Sequence, residues 1–87
     1  MKLMFVIVRD TDDENVIRAL VNAGYRVTRM SSTGGFLRRG NVTLLVGAET
    51  ERTDDVIHLL EATCKPPDPG QKRATVFVVD MQYFEQV

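Results

Sequence analysis

The chain has 87 residues, of which 44% are hydrophobic and 26% charged, and its formal net charge is −1. That balance predicts one globular domain over residues 1–87, near the lower size limit for a single core, and excludes a strongly basic binder of nucleic-acid polymers. A lone cysteine, Cys64, excludes an internal disulfide and a thiolate metal cluster.

The first element is the apolar run KLMFVIV (2–8), which fits a central strand buried on both faces. It is too short for a signal peptide or a membrane span, so the expectation is a cytoplasmic protein without membrane insertion. Thr11 and Glu14 then have capping-box spacing, Val16, Ile17, Leu20 and Val21 recur at helical intervals, and Gly24 stands where a helix stops. A helix over 12–23 follows. YRVTRMSS (25–32) and NVTLLVGA (41–48) read as the second and third strands. ERTDDVIHLLEATC opens with acids and places Val56, Ile57, Leu60 and Cys64 on one face, which predicts a second helix over 52–64. KPPDPGQKR holds all three prolines and is a loop. ATVFVVD (74–80) is the last long strand, and MQYFEQV is a short extra strand or an arm.

The order β-α-β-β-α-β predicts an α+β, ferredoxin-like sandwich: one antiparallel sheet with two helices on one face. The other face would expose Phe5, Val27 or Val42, and Val76 or Val78, so an oligomer packing sheet faces inward is expected.

Charge is unevenly placed. No Asp or Glu occurs from Asn15 to Ala48, yet that segment carries Arg18, Arg26, Arg29, Arg38 and Arg39. It can host an anion if folding gathers some of these arginines. Otherwise they pair with acids from elsewhere.

The second and third strands are joined by TGGFLRRGN, where a tight turn would have sufficed. Gly34 and Gly35 can bring backbone N–H groups close to an anion, Phe36 offers a flat face, and Arg38 and Arg39 can fork onto phosphate. Asn41 can bond a ring edge or cap the turn. Together they describe a nucleotide better than a metal or an acyl substrate; a decorated hairpin with Phe36 in a subunit interface is the other reading. Neither a Walker loop nor GxGxxG is present. His58 reads as a surface or structural residue, Cys64 as core, and the acids at 12–14 and 54–55 as helix N-terminal charges.

Four stretches resemble the PII-like cyclic di-AMP receptor family: MKLMFVIVRDTD, AGYRVTRMSSTGGFLRRGNVTLLVG (23–47), ERTDDVIHLLEATC (51–64), and ATVFVV with its Phe-Glu-Gln tail (74–86). The resemblance implies a non-enzymatic signal-transduction protein, a homotrimer that binds cyclic di-AMP as a second messenger between subunits and relays it to a downstream protein. No cofactor, metal or catalytic residue is implied. The matching ligand positions are Arg26, Val27, Thr28, Gly34, Gly35, Phe36, Leu37, Arg38, Asn41 and Gly47, with Phe77 and Gln86 near the ligand. Family members carry a long Gly/Pro-rich loop before the last long strand, and this chain has only KPPDPGQKR. A PII-type regulator binding a mononucleotide such as ATP or AMP, and a structural trimer without ligand, are the alternatives.

Overall fold

The structure is a computed structural model that describes residues 1–30 and 40–87. Its elements are β1 (Lys2–Arg9), α1 (Asp13–Asn22), β2 (Arg26–Met30), β3 (Asn41–Ala48), a 3₁₀ turn (Thr50–Arg52), α2 (Thr53–Thr63) and β4 (Ala74–Asp80). The four strands form one sheet in the order β2-β3-β1-β4, every neighbouring pair antiparallel. This is the expected ferredoxin-like α+β arrangement.

Strand alternation divides the sheet into two faces. Met4, Val6 and Val8 of β1 and Leu44, Val46 and Ala48 of β3 are buried under Val16 and Leu20 of α1 and Val56 and Leu60 of α2. Both helices therefore lie on one side. Ile17 packs at the edge of this core, whereas Val21 and Ile57 turn outward. The helical spacing was right, and the apolar stripe is narrower than the sequence suggests.

The opposite face has different members from those expected. Register pairs Phe5 with Leu45 and Phe77, and Leu3 with Gly47 and Val79, all on the side away from the helices. Phe5 is correctly placed, but Val27, Val42 and Val76 pack against the core, and Val78 shares their parity in β4. Phe77 is 57% and Val79 48% exposed on that open face.

The start of α1 differs from the capping-box expectation. Asp12 is the N-cap, but no side-chain cap bond forms. Its buried carboxylate instead accepts the backbone N–H of Lys65 at 3.2 Å and lies 3.3 Å from the Arg9 guanidinium. Arg9 also donates to the Lys65 carbonyl at 2.7 Å. Asp12 thus ties the start of α1 to the chain leaving α2. At the other end Gly24 adopts φ +93°, a left-handed conformation that favours glycine and ends the helix as the sequence predicts.

Residues 81–87 form no strand. The Met81 N–H donates to the Met1 carbonyl at 3.1 Å, and the segment then crosses the end of the open face toward β2, where Gln86 accepts from Arg26.

Candidate functional site

The tail, the end of β3 and the start of β2 enclose a cleft of about 520 Å³. Arg26 and Thr28 line it from β2, Leu3 from β1, Leu45 and Gly47 from β3, and Met81, Phe84 and Gln86 from the tail. Alternation explains the grouping, since residues 26 and 28 of β2 share a face with 45 and 47 of β3 by register. Gly47 needs no special backbone angle. A Cβ there would meet only the methyls of Met1 at 3.8 Å and Met81 at 4.0 Å, so the glycine keeps the floor of the cleft low without being required by the fold.

Arg26 is the cation at the sheet side of this cleft. Its Nη1 donates to Gln86 Oε1, and no carboxylate lies within 4 Å of it among the described residues. Arg29, which points to the helix side, pairs with the buried Asp13. Arg18 donates to Asn15 at 3.3 Å. The acid-free segment therefore divides: Arg29 is neutralised by an acid from outside it, while Arg26 keeps a neutral amide partner that a phosphate could replace.

Of the residues expected to hold ligand, Arg26, Thr28, Gly47 and Gln86 come together in this cleft. Val27 faces the other way and packs against the core, so only its backbone is on offer. Asn41 sits at the far end of β3, opposite Arg9, where it lines a separate cleft with Asp10, Gly40, Lys72 and Arg73. Six residue steps along the strand separate it from Gly47, about 20 Å. Phe77 lies midway along the edge strand β4, beside Phe5, outside both clefts. Gly34, Gly35, Phe36, Leu37 and Arg38 lie outside the described residues.

The cleft also contains three polar side chains that the sequence reading passed over as site residues: Tyr25, Glu49 and Arg52. Tyr25 is buried at 5% exposure, and its hydroxyl donates to Asp55 at 2.6 Å. Burial, reinforced by that carboxylate, pushes the phenol above its usual range. Arg52 lies over the ring, 4.3 Å from its centroid, and donates to the Ala23 carbonyl at 3.0 Å. No local spacing announces this group, because Tyr25 and Arg52 are 27 residues apart and meet only through the turns after α1 and β3. The other candidates are as expected: His58 is exposed, and Cys64 is buried, its thiol pushed up first by burial and then by Asp12. Among the described residues no group of His, Cys, Asp and Glu is placed to hold a metal, and no helix is long and apolar enough to cross a membrane.

A crystal structure of a functionally unknown protein from Pediococcus pentosaceus ATCC 25745 superposes with a TM-score of 0.76 at 30% identity, covering 99% of this chain and 96% of that one. It has the same fold. A family model described as "Cyclic-di-AMP receptor" matches residues 1–69, ending inside the proline-rich connection, so β4 and the tail with Phe77 and Gln86 lie beyond the match. That match takes in β1 through α2 and with them Arg26, Thr28 and Gly47, and it places the chain in the cyclic-di-AMP receptor family.

Proposed function

We propose that this chain is a non-enzymatic, cytoplasmic signal-transduction protein that binds cyclic di-AMP at clefts between the subunits of a homotrimer and passes the signal to a partner protein. The observation that carries the reading is the cleft itself: an arginine with no carboxylate partner among the described residues, beside a bare glycine floor, in a chain of this receptor family. Arg26 would exchange the Gln86 amide for a phosphate oxygen, a charge-assisted bond in place of a neutral one. Thr28 would read an adenine edge, while Leu3 and Leu45 give the ring an apolar floor.

Two features support sharing between copies. Arg26 and Gly47 mark one end of the sheet and Asn41 the other, so one protomer supplies each end to a different cleft and a neighbour completes it. The open face that carries Phe5, Leu45, Phe77 and Val79 is apolar enough to seek a second copy.

Calorimetric titration of the full chain with cyclic di-AMP, cyclic di-GMP, ATP and AMP tests the proposal. Tight binding of cyclic di-AMP is expected, with Arg26→Ala raising Kd about 10- to 100-fold, as for loss of a hydrogen bond to a charged group. Tight ATP binding without response to the cyclic dinucleotide would replace this reading with a mononucleotide regulator. Silence toward all four would leave a structural assembly.

A further inference from the structure

We infer that Arg52 is a base-stacking residue of the cleft: its guanidinium, held over Tyr25, presents its outer face to one adenine of the ligand. The inference rests on the cyclic di-AMP reading above and adds a recognition residue to it. Three observations carry it. Tyr25 is buried beneath Arg52, while the Arg52 side chain is itself 46% exposed, so the face turned away from the ring is the one that meets solvent in the cleft. The guanidinium is fixed on two sides, by the ring at 4.3 Å and by the Ala23 carbonyl at 3.0 Å, so little freedom is lost when a flat group settles on it. Its charge is also partly answered, with Asp55 at 3.9 Å and Glu49 lining the same cleft.

That last point separates Arg52 from Arg26. An arginine already facing carboxylates is a poor further anchor for phosphate, whereas its delocalised plane remains free to stack. Bases stack on aromatic and guanidinium planes alike, and Tyr25, Arg52 and a purine would form a three-layer pile. The cleft thereby divides its labour, with Arg26 beside the tail for a phosphate and Arg52 at the end of the 3₁₀ turn for a base.

The test titrates wild type, Arg26→Ala, Arg52→Ala and Arg52→Lys with cyclic di-AMP, and repeats the series with a cyclic dinucleotide carrying 2-aminopurine, whose fluorescence is quenched by stacking. Arg52→Ala and Arg52→Lys should each weaken binding about tenfold, the loss typical of one base–side-chain stack, and both should relieve the quenching in the bound state. Because lysine keeps the charge but loses the plane, wild-type affinity in Arg52→Lys would show a phosphate contact and overturn the inference. So would unchanged affinity in Arg52→Ala, or unchanged quenching in both variants. A thermal melt without ligand accompanies each variant, and the bound-state quenching reports stacking independently of any fall in stability. If wild type itself fails to bind, the site reading falls and this inference with it. If wild type binds and only Arg26→Ala weakens it, the site stands and the Arg52 assignment alone is lost.

Discussion

Tyr25 shows how one side chain serves both core and cleft. Its ring closes the helix side of the turn into β2, its hydroxyl reaches Asp55 on α2, and Arg52 covers it. The raised phenol has a definite sign in stability. A group whose folded pKa lies above its unfolded value stabilises fully below the ordinary phenol pKa, and that contribution is lost as pH rises through the folded pKa. Urea unfolding should therefore show stability falling above about pH 10, with Cys64 adding a similar loss that begins lower. Tyr25→Phe should flatten the phenol's part of that decline, at a cost near neutral pH of about 1 kcal/mol for the lost hydrogen bond. An unchanged alkaline slope in the variant would refute the assignment. At this scale the sequence was partly legible. Arg26 could be picked out because no acid stands near it in the chain, but that Gln86 meets it depends on a tail returning across the sheet, which no local pattern encodes.

Among the elements, strand and helix positions followed closely from periodicity and breakers. β3 and β4 have the expected bounds, and α1 and α2 differ by a residue at each end. What periodicity could not supply was which parity of each strand faces the helices. Val27, Val42 and Val76 are as apolar as Phe5 and Leu45, and only the register among strands assigns them to opposite sides. The start of α1 illustrates a second limit. Thr11 and Glu14 have the right spacing for a reciprocal cap, yet Asp12 turns its carboxylate toward Arg9 and Lys65 instead. The tie between α1 and the end of α2 therefore rests on a buried acid. Asp12→Ala would strand the Lys65 N–H and a largely enclosed guanidinium, and should lower stability by about 2–3 kcal/mol. In urea this appears as a lower midpoint with an unchanged slope; a loss under about 0.5 kcal/mol, the level of an ordinary surface substitution, would show that the tie is dispensable.

For the molecule as a whole, the decisive feature is asymmetry between sheet faces. One is sealed by two helices, and the other carries Phe77 and Val79 in solvent beside Phe5 and Leu45. An 87-residue chain buries only about 60–65% of its unfolded surface alone, so burial against copies would add substantially to a small core. Sedimentation velocity should find a trimer. Phe77→Asp should reduce it to smaller species while the far-ultraviolet dichroism of the helices persists, because Phe77 touches neither helix face. A wild-type protein that sediments as a single chain at micromolar concentration would contradict the shared-cleft reading.

The tail offers a practical opening. Beyond Met81 it has no backbone hydrogen bond to the sheet among the described residues, and Gln86 grips the very guanidinium that a phosphate would claim. Val87, fully exposed one position further on, makes a natural attachment point for an environment-sensitive dye. A chain labelled there would report occupancy as an optical change, turning a second-messenger receptor into its own indicator.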